Sequence, residues 1–250
     1  MNEYHQAKLA EKRRNVSISR LHVLRTTYHQ HLLSLDPHGV RTRALEYGPR
    51  FADIALMPEF RALVESGYDA RVDADSFKAE LADLPALADT FNFHRELALS
   101  ERMARALGCQ TWIGILERAV AWFRCDACEQ YVRWPEVLAH LCQRPYYGES
   151  PREEWAPDYY PYDVAEVGGF HAWDSDTLRP IDPEDLANLR SLIVSCGLDP
   201  ETANAEQMDA LDLRVTYKKM SGTADRSGTT KLVMNWRRAV RHPCSRTVRL

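Results

Sequence analysis

The 250-residue sequence contains no apolar run that approaches the roughly 20 residues needed to cross a bilayer, which argues against a membrane-spanning segment. Residues 1–14 are polar and charged, unlike a secretory signal. These two absences predict an intracellular protein, in the cytoplasm or the nucleus, where thiols stay reduced. The apolar fraction of 45% and the charged fraction of 27% are ordinary for a globular protein.

Several motifs of common enzyme classes are also missing. The sequence has no phosphate-binding glycine loop, no Gly-x-Ser-x-Gly nucleophile elbow and no His-Glu-x-x-His zinc-protease motif. Adjacent carboxylates such as Glu153-Glu154 lie in a segment that we interpret as a solvated loop. Because no combination of acid, base and nucleophile is recognisable, we do not predict an enzyme.

The six cysteines are the most informative residues present, since in a reducing compartment they indicate metal ligands or buried thiols in place of disulfides. Four soft donors follow the pattern Cys-x2-Cys, eleven residues, His-x-Cys, and they are Cys125, Cys128, His140 and Cys142. Two thiolates on a tight turn with two more donors downstream are typical of a tetrahedral zinc site. We predict one structural Zn²⁺ per chain, and not a catalytic ion, because four protein ligands leave no position for water.

The position of His140 and Cys142 places a condition on this prediction. Residues two apart on a helix point to different faces, so the helix must end near His140 for both to bind one ion. Two other interpretations stay open. In the first, Cys128 and Cys142 are buried thiols. In the second, the Cys-x2-Cys pair is redox-active, although Asp126 would raise the thiol pKa.

The end of this motif recurs about a hundred residues later. The stretch Trp134-Pro-Glu-Val-Leu-Ala-His140-Leu-Cys142 matches Trp236-Arg-Arg-Ala-Val-Arg-His242-Pro-Cys244 at Trp, His and Cys. An internal repeat of this kind indicates two related modules. The second copy is degenerate, because the positions of its first two ligands are occupied by poor zinc ligands. That degenerate site consists of Tyr217, Met220, His242 and Cys244, and we expect packing of Trp236 and Met234 to replace the metal there.

Charge is unevenly distributed along the chain. Residues 214–250 contain ten basic residues and one acid, a net charge of +9, which leaves −13 for residues 1–213 of a chain whose total is −4. A basic tail on an acidic body is suited to an acidic partner, to nucleic acid or to the protein's own acidic face. The candidate residues are Arg237, Arg238 and Arg241, and the alternative is a solvated basic helix.

Apolar periodicity and breaker residues predict a mainly α fold of the α+β class: a helical body with one or two small ββα zinc-finger-like units. Three consecutive segments follow: a helical region 1–118, a zinc-finger-like unit 119–145, and a region 146–250 with a Pro/Tyr-rich connector, a helix pair and the degenerate unit.

The predicted helices cover 3–36, 50–66 with a break at Pro58, a short helix capped by Asp75 or Ser76, 87–107, 135–140, a helix opened by Asp182-Pro183, 205–211, and a last helix capped by Asn235. The predicted strands cover 119–124, 131–134, 213–217 and 231–234, and the connector 145–165 is predicted to lack regular structure.

Three motifs carry a resemblance to a known family. They are Phe123-Arg-Cys125-Asp-Ala-Cys128, the pair Cys196-Gly-Leu-Asp-Pro200 and Met208-Asp-Ala-Leu-Asp212, and Asn235-Trp-Arg-Arg-Ala-Val-Arg-His242. Together they resemble a large family from mushroom-forming fungi, many of whose members are F-box proteins, over roughly residues 10–245. The resemblance implies a second Cys-x2-Cys after Arg214, which is replaced here, and an N-terminal Leu-Pro-x-Glu segment, which this sequence does not show.

Two functional hypotheses follow. The first is a non-enzymatic intracellular protein-interaction module, related to F-box substrate receptors and their ubiquitin-ligase partners, with one structural zinc. The alternative is a zinc-finger-like protein that associates with nucleic acid through the basic C-terminal segment.

Overall fold

The structure, a computed structural model, describes residues 3–35, 43–149, 159–212, 214–218, 231–241 and 248–249. The protein is mainly helical with a few short antiparallel strands, which confirms the predicted fold class. In these ranges, no helix combines the length and the apolar character that crossing a membrane requires.

The chain divides into two compact units, and each is built from two stretches of sequence. The first unit comprises residues 1–95 and 138–175, and the second comprises residues 96–137 and 176–250. This division differs from the three consecutive segments anticipated from the sequence, because later stretches of chain return to complete each unit. The chain passes from the second unit to the first between Val137 and Leu138, within the segment that carries the cysteine motif.

The first unit is helical, and α6 continues past residue 95 into the second. Its helices are α1 (Glu3–Leu35), α2 (Arg43–Tyr47), α3 (Phe51–Ala55), α4 (Pro58–Val64), α5 (Ala74–Ala82), α6 (Leu84–Leu107) and α7 (Tyr160–Gly168). Leu21 and Leu24, three residues apart on α1, belong to one fully buried core with Phe60 and Phe77. Pro58 occupies the first turn of α4, as predicted, because its missing N–H would have no partner there.

The second unit combines helices with two three-stranded antiparallel sheets among its described strands. The first sheet has the order β2-β1-β3, from β1 (Phe123–Cys125), β2 (Tyr131–Val132) and β3 (Leu178–Pro180). The second has the order β5-β4-β6, from β4 (Arg214–Lys218), β5 (Lys231–Asn235) and β6 (Val248–Arg249). The remaining helices are α8 (Pro183–Ser195), α9 (Ala205–Ala210) and α10 (Trp236–Arg241).

Two predicted elements near the cysteine motif differ from the structure. The stretch 119–122 is not part of the predicted strand; it is a buried turn in which Ala121 N donates to Arg118 O and Trp122 N to Val120 O. An apolar run predicts burial, but it does not distinguish a strand from a buried turn. The predicted helix 135–140 is instead a 3₁₀ turn over Glu136–Ala139, followed by a second over Leu141–Gln143.

Two further predictions for the first unit were wrong. The connector 145–165 was predicted to be irregular, yet α7 begins within it and buries Tyr160 and Val164. Pro161 lies in the first turn of α7, where a proline is tolerated. The cap of α5 is Asp73, two residues before the first predicted position, and its carboxylate accepts from the backbone N–H groups of Asp75 and Ser76.

Candidate metal centre

The β1–β2 hairpin positions the first two donors. Cys125 ends β1, the central strand of its sheet, and is opposite Leu178 of β3. Cys125 N donates to Gln130 O at 2.9 Å, and Glu129 N donates to Cys125 O at 2.7 Å. Glu129 has a left-handed φ of 58°, which lets the backbone reverse directly after Cys128. The turn therefore holds both thiols on the same short loop.

The second pair of donors follows a break between two 3₁₀ turns. His140 has an extended backbone, with φ −68° and ψ 119°, between the turn that ends at Ala139 and the turn that begins at Leu141. Continuous helical spacing would point His140 and Cys142 in different directions. Because the backbone is extended at His140, helical spacing does not separate the two side chains. The helical turn ends before His140, as the sequence analysis required for both residues to bind one ion.

The four predicted ligands come together. One donor atom each from Cys125, Cys128, His140 and Cys142 lies within 4.8 Å of the other three. A zinc ion about 2.3 Å from each thiolate would place tetrahedral donors about 3.8 Å apart, so the observed cluster needs to contract by roughly 1 Å at most. The group can therefore hold a metal ion, and its three sulfurs and one nitrogen are a donor set that suits zinc.

Burial of the site favours the metal-binding protonation state of its histidine. Cys125 is fully buried, while Cys128, His140 and Cys142 are half-buried. Burial lowers the pKa of His140, because the charged imidazolium loses solvation, so the neutral imidazole with its lone pair predominates. Four protein donors fill a tetrahedron, which leaves no coordination position for a substrate.

Ion pairs and a backbone bond fix the hairpin loop within the second unit. Asp126 N donates to Thr177 O at 2.8 Å, and the Asp126 carboxylate accepts from Arg179 at 2.6 Å. Arg124 donates to Asp182 at 2.8 Å, which raises the pKa of the guanidinium. These contacts hold the Cys-x2-Cys turn from the side of β3 and α8.

The segment that follows Cys142 is held within the first unit by different contacts. Gln143 O accepts from Asp174 N at 2.9 Å, and Pro145 O accepts from His171 N at 3.0 Å. Arg144 lies 2.5 Å from Asp53, and both side chains are buried. Sequence reasoning missed Arg144 and Asp53, since nothing local in the sequence relates two residues so far apart.

The degenerate second site is described in part. Tyr217 lies in β4, where its backbone pairs with Leu232 and Val248, whereas Met220, His242 and Cys244 lie outside the described residues. Within the described ranges, no second group of three or more donors is close enough to share an ion.

The two residues expected to replace the second metal are both buried. Trp236 and Met234 belong to the core of the second unit. The Trp236 ring meets that of Trp122 edge to face at 5.8 Å. Both side chains are therefore packed in the core, and their replacement of a metal at the second module stays a prediction.

The three candidate basic residues differ in their availability. Arg237 makes a two-point contact with Asp209, at 2.9 and 2.6 Å, which raises the pKa of the guanidinium and lowers that of the carboxyl. Arg238 and Arg241 are exposed, and Arg241 lies 5.6 Å over the Trp122 ring. Among the described residues, Arg237 is therefore the one of the three that is committed to a carboxylate.

No protein-family model, curated protein or solved structure matches this chain. The resemblance to the fungal F-box family therefore stays a prediction.

Proposed function

We propose that Cys125, Cys128, His140 and Cys142 bind one zinc ion that stabilises the fold and does not take part in catalysis. The convergence of the four donors to within 4.8 Å of one another carries this proposal. Zinc would join the Cys-x2-Cys turn to the segment that begins at His140, and it requires deprotonated thiolates and a neutral imidazole. Binding of this kind contributes about 10–16 kcal/mol in small zinc-finger peptides.

We also propose that the protein is a non-enzymatic interaction module related to F-box substrate receptors. A saturated metal site is suited to shaping a surface and not to activating a substrate. Leu141, between two of the ligands, is 63% exposed. A bound ion would hold this apolar side chain in a fixed position at the surface, where it is available to a protein partner.

Metal analysis of the purified protein tests the zinc proposal. We expect one zinc per chain in the wild type and none in Cys125→Ser. The matched control is Cys109→Ser, at an exposed cysteine outside the cluster, which should retain the metal. Two zinc ions per chain, or full retention by Cys125→Ser, would contradict the assignment.

Capture of purified cullin-type ubiquitin-ligase subunits tests the interaction proposal separately. We expect binding that is lost in Leu141→Asp and after chelation of the metal. Val194→Asp, at an exposed apolar position of α8, introduces the same charge in a different place and should leave binding unchanged. If the zinc-loaded protein captures no such subunit, the metal assignment stands and the proposed ubiquitin-ligase partnership falls.

The alternative, association with nucleic acid, is favoured by the exposure of Arg238 and Arg241 and weakened by the pairing of Arg237 with Asp209. Phosphate contacts release counterions, so this alternative predicts affinity that falls steeply with salt. Titration of a short DNA duplex at increasing salt distinguishes the two functions. The alternative requires that Arg238→Gln with Arg241→Gln reduce the salt dependence.

A further inference from the structure

A fully buried carboxylate, that of Asp53 in α3, accepts contacts from four sides within the first unit. Oδ1 accepts from Arg95 Nη2 at 2.9 Å and from Trp173 N at 2.8 Å. Oδ2 accepts from Arg50 N at 2.7 Å and lies 2.5 Å from Arg144 Nη1. A carboxylate offers about four lone-pair positions, so Asp53 has no lone pair left to accept a further hydrogen bond.

The charges at this cluster do not balance. Two guanidinium groups, of Arg95 and Arg144, share one carboxylate, which leaves an excess of one positive charge. Both arginine side chains are almost completely buried, with 5% and 2% exposed. In the part of the chain that the structure describes, no second carboxylate forms an ion pair with either group. Excess charge in a desolvated position is strongly unfavourable unless an opposite charge compensates it.

Several N–H donors of the same two groups have no partner. They are Nη1 of Arg95 and Nε and Nη2 of Arg144, all without solvent exposure. Aromatic rings cover the faces of the Arg95 guanidinium, with the centroid of Phe91 at 3.5 Å and that of Trp173 at 4.5 Å from Cζ. The rings offset part of the charge, but they leave the in-plane N–H donors without an acceptor.

We infer that Arg95 and Arg144 form an internal binding site for a small inorganic anion of the size of chloride. An anion would supply both the missing acceptor and the missing charge, whereas water would supply the acceptor alone. A single-atom anion is favoured over an oxyanion because it accepts from divergent donors without needing room for four oxygens. Burial lowers the pKa of Arg95 to about 9, so the group keeps its proton at neutral pH.

Thermal unfolding of the wild-type protein tests this inference. Chloride is raised from about 5 mM to about 500 mM while gluconate, which is too bulky for a buried site, keeps the ionic strength constant. A ligand that binds only the folded state raises the melting temperature with its concentration, here by about 5 °C. A melting temperature that does not change with chloride would overturn the inference. Water or a carboxylate of the chain itself would then occupy the position beside the two guanidinium groups.

A structural measurement and two variants complete the test. A crystal of the wild type grown in bromide should show an anomalous peak in contact with Arg95 Nη1 and Arg144, and a peak only elsewhere would refute the site. Arg144→Gln removes the excess charge, so its stability should no longer depend on chloride. Arg25→Gln, at an exposed arginine of the same unit that donates to Val167 O, should keep the dependence. If Arg144→Gln does not fold, the crystallographic result decides.

Discussion

The indole nitrogen of Trp236 donates a 2.8 Å hydrogen bond to the carboxylate of Asp209. The next residue, Arg237, donates to both oxygens of the same carboxylate. Asp209 on α9 therefore holds the first turn of α10, and Trp236 in turn packs against Trp122 in the core of the second unit. Two motifs that are separate in the sequence, Met208-Asp-Ala-Leu-Asp212 and Asn235-Trp-Arg, meet at this point.

Asp209→Asn should destabilise the protein at neutral pH and reduce its sensitivity to acid. The folded-state pKa of Asp209 is lowered, first by the hydrogen bonds from Arg237. A lowered pKa gives a contribution that is complete above the unfolded value of about 3.9 and is lost as the pH falls through the folded value. Because the carboxylate is 45% exposed, we expect a loss of only about 1 kcal/mol at neutral pH.

Urea unfolding at neutral pH and at about pH 3.5 measures this effect, since the second value lies below the unfolded pKa of an aspartate. The difference in unfolding free energy between the two conditions should be smaller for Asp209→Asn than for the wild type. Asp89→Asn, at an exposed position on α6, removes the same charge and should leave the difference unchanged. Equal acid sensitivity of Asp209→Asn and the wild type would contradict the role of this carboxylate.

Trp236→Ala should be among the most destabilising substitutions in the second unit. The side chain is 2% exposed and meets Trp122 edge to face, so truncation removes apolar contacts, leaves a cavity and leaves Asp209 without one donor. Losses for buried large-to-alanine substitutions of this kind are about 3–5 kcal/mol. Trp112→Ala, at a tryptophan that is 52% exposed, is the matched control and should lose far less in the same chemical unfolding experiment.

The sequence predicted the metal cluster and the longest helices because those features depend on short-range patterns. The spacing of four soft donors is local, and the structure brings Cys125, Cys128, His140 and Cys142 together. Apolar periodicity similarly predicted α1 and most of α6. Asn235 caps α10 as expected, with its side chain accepting from Arg238 N at 2.9 Å.

Features that depend on long-range pairing were not predictable in the same way. The ion pair between Asp53 and Arg144 joins residues 91 positions apart, and neither lies in a recognisable motif. α7 was hidden by a high density of proline and tyrosine, although its buried Tyr160 donates to Ala55 O at 2.7 Å across the first unit. Tertiary contacts of this kind override local preference, and a single sequence contains no signal for them.

Arg20→Met should strongly destabilise the first unit. This buried arginine donates four hydrogen bonds to backbone carbonyls between residues 64 and 70, at 2.6–3.1 Å. Hydrogen bonds from a charged group contribute about 1.5–3 kcal/mol each and are not additive, so we expect a total loss of at least about 3 kcal/mol. Methionine keeps much of the apolar volume, which separates the lost hydrogen bonds from lost packing.

Chemical unfolding of Arg20→Met beside Arg25→Met measures this contribution. Arg25 lies on the same helix and is exposed, and it makes one such bond, to Val167 O at 2.7 Å. Its replacement should change stability by roughly 1 kcal/mol or less. Comparable losses in the two variants would show that the loop at residues 64–70 is held by other contacts.

Removal of the metal should loosen the segment that follows Cys142 before it affects the helices of the first unit. Gln143 O and Pro145 O accept from the amides of Asp174 and His171, so we expect these two amides to lose protection from hydrogen exchange after chelation. The amide of Ile54, which donates to Arg50 O at 3.0 Å within α3, should remain protected. The reason is that a bound zinc ion would fix His140 and Cys142 directly before the accepting carbonyls, whereas α3 is held by the apolar core.

Cys142→Ser should reproduce the effect of the chelator without any change in solvent. Cys196→Ser, at a cysteine that is also half-buried but lies outside the cluster, should keep both amides protected. Serine preserves the size of the side chain and removes the thiolate, so a difference between the two variants reports on the metal and not on packing. Unchanged protection of Asp174 and His171 in Cys142→Ser would mean that hydrogen bonds and the Arg144–Asp53 pair hold this segment without the ion, since those contacts remain in the variant.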